Sequence, residues 1–172
     1  MEEEIINRVA NSSLITFDLE TFYTPGPRVT YDIKDHLFQG LILREKDFRD
    51  HIKSHNWSDY QGKLVCIVCT ADAVVPTWAY MLLAVALRPY AKRVFFGSEE
   101  ELEKELFHEK LLGIDWEQYR GAKVVVKGCS DVQVPVSAYV EATFQLTSVA
   151  SSVMFGEPCS TVPIFKRAKN PA

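Results

Sequence analysis

Six side chains stand where this chain could do chemistry: Cys69, Asp72, Cys129, Asp131, Glu157 and Cys159. Each follows a short apolar run, and Asp72 and Asp131 come just before Pro76 and Pro135, two helix-entry prolines. In an open parallel α/β sheet such positions lie outside the carboxyl ends of the strands. Loops there are free to vary, and helix N-termini turn unpaired amides toward the same crevice. Two thiolates with one or two carboxylates can hold zinc or iron, so Cys129 and Cys159 with Asp131 and Glu157 form one donor set. A structural zinc site normally takes four Cys or His ligands, and none of His36, His51, His55 and His108 falls in these loops. The same six residues would line a crevice for a small ligand, with Cys69 and Asp72 on the same sheet edge as the other four. Asp72 and Asp131 also have a structural reading, because a carboxylate ahead of a helix accepts amide hydrogen bonds and meets the helix dipole favourably.

Other chemistries lack parts. A cysteine between a strand and a helix N-terminus can act as a nucleophile, but neither a Cys-x-x-Gly-x-x-Arg nor a Cys-x5-Arg loop surrounds Cys129 or Cys159. Cys66 and Cys69 have C-x-x-C spacing, yet residues three apart on a strand face opposite ways, and Pro76 puts the next helix well beyond them. Cys66 therefore reads as a core residue. Phe17-Asp18-Leu19-Glu20-Thr21 is similar to the first metal-binding motif of DEDD-type exonucleases, with Asp18 and Glu20 on one face of a strand, but the later parts of that motif set are absent. No catalytic signature is complete.

The elements that position these residues are written twice. Trp57, Tyr60, Gly62, Val65, Asp72, Pro76, Tyr80, Leu87, Phe96 and Gly97 recur as the same residue types 59 positions later, without a gap, so 57–97 and 116–156 read as one supersecondary unit used twice. In each copy a buried apolar strand (63–69, 123–127) leads through a loop to a helix beginning at Pro76 or Pro135. A second strand (94–96, 153–155) follows, ending at Gly97 or Gly156. Glu99 to Leu112 reads as a crossover helix, and a strand at 41–43 followed by a helix at 45–53 adds a similar step upstream. Parallel strands need crossovers, so the expected fold is α/β, mainly one parallel sheet with helices on its faces. The residues Ile15 to Phe22 and Val29 to Ile33, separated by Thr24-Pro25-Gly26-Pro27, read as a hairpin-like pair of strands against the sheet edge or a second subunit.

At 172 residues and 47% apolar content the chain can bury one real core, and one domain over 1–172 is expected. A net charge of −4 gives no nucleic-acid footprint. Met1-Glu2-Glu3-Glu4 is acidic where a secretory signal is basic, and no apolar run reaches membrane-spanning length. A cytoplasmic, self-associating protein with reduced thiols is expected, with a small molecule or metal ion as ligand and neither nucleic acid nor membrane as partner; the alternative is a non-catalytic interaction or scaffold protein whose N-terminal strands and Trp78 make a dimer or partner surface.

Three segments are distinctive: Gly40 to Arg49, Val75 to Tyr80, and Gly156 to Pro163. Through them the whole chain resembles a bacterial family found in Bacteroidetes that carries a domain-of-unknown-function label. The resemblance implies a bacterial cytosolic origin and adds no activity.

Overall fold

The computed structural model describes residues 14–128 and 131–168; Cys129 and Ser130 lie outside the described residues. In chain order the strands and helices are β1 (Leu14–Asp18), β2 (Arg28–Asp32), α1 (Glu45–Ser54), β3 (Leu64–Val68), α2 (Thr77–Leu87), β4 (Arg93–Phe96), α3 (Glu99–Leu112), β5 (Lys123–Lys127), α4 (Val136–Val149), β6 (Ser152–Glu157) and β7 (Ser160–Lys166). Short 3-10 helices at Leu19–Phe22, Ile33–His36, Trp57–Tyr60 and Trp116–Tyr119 punctuate them. The fold is α/β. Its residues group into two compact units, a continuous one formed by Pro25–Glu103 and a split one formed by the segments before Pro25 and after Glu103.

The continuous unit holds a three-stranded parallel sheet in the order β2-β3-β4. Every residue from Leu64 to Ile67 is buried, as an apolar run in a strand covered on both faces must be. Each such large apolar side chain contributes about 1.5–3 kcal/mol. Gly62 supplies the positive φ of 72° that the turn into β3 requires, and its N–H donates to the Tyr90 carbonyl at 2.9 Å. Tyr31, Ile33, Phe48, Trp57, Val65, Leu83 and Leu87 form the core between this sheet and its helices.

The split unit holds a four-stranded sheet in the order β1-β5-β6-β7, parallel except for the final β6–β7 hairpin. Gly121 repeats the role of Gly62, with φ 70° and its N–H donating to the Val149 carbonyl at 2.9 Å. The core comprises Phe17, Leu19, Phe107, Leu111, Val124, Val126, Leu146 and Val153.

Positions 59 apart sit in matching elements: Trp57 and Trp116 open 3-10 helices, Val65 and Val124 are buried in strands, and Pro76 and Pro135 immediately precede α2 and α4. The correspondence reaches further than the sequence reading took it. Phe48 and Phe107, also 59 apart, are both buried, one in α1 and the other in α3. Thr30-Tyr31-Asp32-Ile33 matches Thr16-Phe17-Asp18-Leu19 at a spacing of 14, and the registers agree, with Arg28 opposite Leu64 and Leu14 opposite Lys123.

Four expectations are corrected. The N-terminal strands do not form a hairpin; β1 pairs with β5 and β2 with β3, each as a parallel edge strand. One sheet becomes two, because β1 occupies the side of β5 that a continuous sheet would offer to β4. Residues 41–43 make only isolated bridges, at Ile42 to Phe38 and to Val74, since a three-residue apolar run squeezed against the start of α1 has no neighbouring strand to extend along. The chain after Gly156 is not loop: β6 runs on to Glu157 and returns as β7, which tolerates Pro163 because it is an edge strand with a bulge opposite Val153 and Met154.

Candidate functional site

The structure puts Cys69 and Asp72 beyond the carboxyl end of β3 in the continuous unit; in the split unit Asp131 lies beyond β5, Glu157 is the last residue of β6 and Cys159 is in the turn that follows. Cys129 lies outside the described residues. Cys69 is half-buried and its thiol points to the Ala71 carbonyl at 3.7 Å; Asp72 is exposed. Neither Asp72 nor Asp131 caps the helix that follows it, for α2 and α4 start after Pro76 and Pro135 with no side-chain cap bond. Asp131 is instead tethered through its N–H, which donates to Glu20 Oε1 at 3.3 Å. Cys159 is exposed in the tight β6–β7 turn. Cys66 is buried, and that burial pushes its thiol up to about 11.

At the carboxyl edge of the split unit, Lys127 ends β5 with its Nζ 3.4 Å from Asp18 Oδ2 and 3.9 Å from Glu157 Oε1. Hydrogen bonding to Asp18, with the Asp18 and Glu157 charges, holds the ammonium above its ordinary value. Asp18 also accepts from the Glu20 N–H at 3.1 Å, so strand β1 stops there and Glu20 lies on a 3-10 helix. The nuclease-like spacing of Asp18 and Glu20 therefore serves a cap and an ion pair. In the continuous unit the equivalent Asp32 caps Lys34 and accepts both the N–H and the hydroxyl of Thr70. Burial raises its carboxyl, but the Thr70 and Lys34 bonds outweigh this and bring it down to about 2. Among the described residues no group of three or more His, Cys, Asp or Glu side chains is arranged to hold a metal ion.

Two features were missed from sequence. The first is apolar surface. On α4 Val136, Val140 and Phe144 recur at helical spacing and are 76%, 64% and 75% exposed; on α2 Met81 and Val85 are 63% and 72% exposed. Met81 and Val140, like Val85 and Phe144, are 59 positions apart. Beside the α4 stripe an apolar cavity of about 450 Å³ opens between α4, β6 and β7, lined by Val126, Val134, Val136, Tyr139, Thr143, Val153, Met154, Phe155 and Ile164. The signal for the stripe was present: Thr77 to Leu87 contains no charged residue, and a helix apolar on all sides is normally covered on all sides.

The second is a polar knot in the core of the continuous unit. The buried Tyr31 hydroxyl lies 2.9 Å from His36 Nε2 and 2.7 Å from His51 Nε2, and the two imidazole rings lie against each other, tilted by 31°, with centroids 3.8 Å apart. His55 follows at 4.9 Å from His51, and its buried Nε2 has no hydrogen-bond partner. Trp57 and Tyr60 close the group, with the Trp57 indole N–H donating to the Ile52 carbonyl at 2.8 Å. Burial, with His36 and His55 adding, brings His51 down to about 4; burial also lowers His36 against the pull of Asp35. Burial lifts the Tyr31 phenol well above its ordinary value, with Tyr60 and Asp35 adding to it. One hint in the sequence is the spacing of four between His51 and His55.

No helix among the described residues is long and apolar enough to cross a membrane. Comparison with curated proteins and with solved structures finds no match. A family model matches residues 3–167, nearly the whole chain, and by that match the chain belongs to the family described as Protein of unknown function (DUF2480).

Proposed function

We propose that this is a self-associating interaction protein whose α2 and α4 faces bind a second copy of the chain. The carrying observation is the stripe that occurs at equivalent positions of both units, Met81 and Val85 on one and Val140 and Phe144 on the other, open to solvent, with no charged residue in α2 and with Glu141 of α4 paired to His108. Large apolar side chains grouped on an exposed helix face mark interaction surfaces, and burial of each stripe is favourable at about 25 cal/mol per Å². A surface present twice in similar form suits a symmetric pairing of like copies better than an unrelated partner, since isologous contacts require self-complementarity. The two units read as descendants of one duplicated element in a cytosolic bacterial protein. Sedimentation or light scattering at about 20 μM should return a dimer or larger, and Val85→Glu with Phe144→Glu should return a folded monomer. A wild-type monomer at that concentration would sink the proposal.

A second reading rests on the 450 Å³ cavity, which falls in the size range of small-ligand sites. Its apolar lining with the Tyr139 and Thr143 hydroxyls suits a small apolar molecule and not a metal ion. An anilinonaphthalene dye should bind the wild type and lose affinity about tenfold or more in Thr143→Trp; equal affinity removes this reading.

A further inference from the structure

We infer that Tyr31, His36 and His51 form an acid-sensitive latch, closed while both imidazoles are neutral and released when acid charges one of them. A phenol has one proton to give and lone pairs to accept with, and here two imidazole Nε2 atoms lie within hydrogen-bond distance of the one oxygen. Both contacts are satisfied when one imidazole accepts the Tyr31 proton on a bare Nε2 and the other donates its Nε2–H to the phenol oxygen. The two histidines are then neutral and in opposite tautomers. Adding a proton to the accepting Nε2 leaves the buried Tyr31 O–H without an acceptor and sets a cation against an imidazole whose centroid is 3.8 Å away.

Little around the latch compensates such a charge. Asp35, on the same 3-10 helix as His36, is the carboxylate that favours it, and burial outweighs Asp35. From α1 comes Arg49, which is directed over Trp78 of α2, and from its C-cap His55, which opposes a second positive charge. The segment after α1 brings Tyr60 with Asp59 behind it; α2 contributes Tyr80 as its one titratable side chain, and Cys69 follows β3, whereas Cys66 faces the other side of the sheet.

The split unit supplies an internal control. At the positions equivalent to Tyr31, His36, His51 and His55 it carries Phe17, Phe22, Lys110 and Ile114, and there Phe17 stacks on Phe22 with centroids 5.4 Å apart. The same strand, helix and 3-10 arrangement thus closes over hydrocarbon. The polar version is not a requirement of the fold, so its buried hydrogen bonds set a response to protons.

The test compares wild type with the variant carrying Tyr31→Phe, His36→Phe, His51→Lys and His55→Ile, by hydrogen exchange of β2 and α1 from pH 7.5 to 4. Wild type should show exchange protection falling at least tenfold across that range after correction for intrinsic rates, and the variant should hold its protection. NMR titration of the wild-type imidazole C–H signals serves if the variant does not fold. His36 and His51 should then titrate together, below His108, in step with loss of β2 protection. Independent titration near 6.5 with unchanged protection, or the same acid profile in wild type and folded variant, would overturn the latch.

Discussion

At the centre of the split unit Phe17 meets Phe22, Trp116 and Tyr119 at ring separations of 5.4, 5.5 and 5.6 Å. At the equivalent place in the continuous unit Tyr31 meets His36, Trp57 and Tyr60 at 5.7, 5.9 and 6.3 Å. The geometry is shared and the chemistry is not. Burying apolar rings is favourable without conditions, whereas burying a hydroxyl and two imidazoles is tolerated only while each finds its partner. Two cores of one design therefore differ in what can disturb them: the first yields to lost volume, the second also to a gained proton.

The shared part of the design should respond most strongly to lost volume. Phe48 and Phe107 are each about 1% exposed and stand at equivalent positions. Phe48→Ala and Phe107→Ala should each cost about 3–5 kcal/mol in denaturant unfolding. Exchange protection should fall first in the unit that carries the change. A cost below about 1 kcal/mol for either would break the correspondence of the two cores.

The second difference is one of sign with pH. His36 and His51 are held below their ordinary value, so the unfolded chain binds more protons than the native one between pH 6.5 and about 4. The continuous unit keeps this contribution above about pH 6.5 and loses it as pH falls toward 4. In the split unit His108 sits 2.9 Å from Glu141, whose hydrogen bond and charge raise it, so its contribution is present below pH 6.5 and fades as pH rises through the raised value. His108 is solvent-exposed, and screening makes that effect slight. Segment-resolved exchange at pH 7.5 and 4.5 should show acid loosening β2 and α1 well before β5 and α4; equal loosening would remove the contrast.

These responses also mark how far the sequence could be read. The crossover at 99–112, the strand at 123–127 and the helix entries at Pro76 and Pro135 were legible because periodicity and proline report local preference. The pairing of β1 with β5 was not, because nothing local in Ile15-Thr16-Phe17 says that its partner lies more than a hundred residues away. The six Cys, Asp and Glu candidates were found by the rule for strand ends, and that rule assumed one sheet. Tyr31, His36, His51 and His55 escaped because they come from a strand, a 3-10 helix, and the body and end of an α-helix. Each alone reads as an ordinary core or surface residue. Setting 28–36 against 14–22 was the alignment that exposes them, since it lays Tyr31 on Phe17 and His36 on Phe22.

A smaller effect separates the two capping aspartates. Asp18 accepts one amide and faces Lys127; Asp32 accepts two amides and a hydroxyl, tying the end of β2 to the loop after β3. Asp18→Ala should cost about 1 kcal/mol, the usual worth of a cap. Asp32→Ala should cost roughly another 1 kcal/mol for the lost Thr70 bonds. Because the Asp32 carboxyl is held near 2, its excess is present above about pH 4 and vanishes as pH falls through 2. Equal costs in thermal unfolding at pH 7 would mean that Thr70 adds nothing.

The last expected difference leaves stability untouched and appears only in reaction rates. A thiol reacts as thiolate and must be reached by reagent, so exposure and burial act in the same direction. Cys159 is exposed at the tip of the β6–β7 turn, Cys69 is half-buried with its Sγ directed at a carbonyl, and Cys66 is sealed in β3 and pushed up to about 11. With Cys129→Ser as the parent protein, so that only these three thiols report, labelling by a neutral maleimide at pH 7.5 should follow the order Cys159, Cys69, Cys66. Cys66 should react only as fast as the continuous unit opens. Its rate should therefore rise in Phe48→Ala and remain near the parent's in Phe107→Ala, which makes one thiol a probe of whether the two units open separately. If Cys66 labels as quickly as Cys159 in the intact parent, β3 is not the closed centre of its sheet and the comparison of the two cores fails at its base.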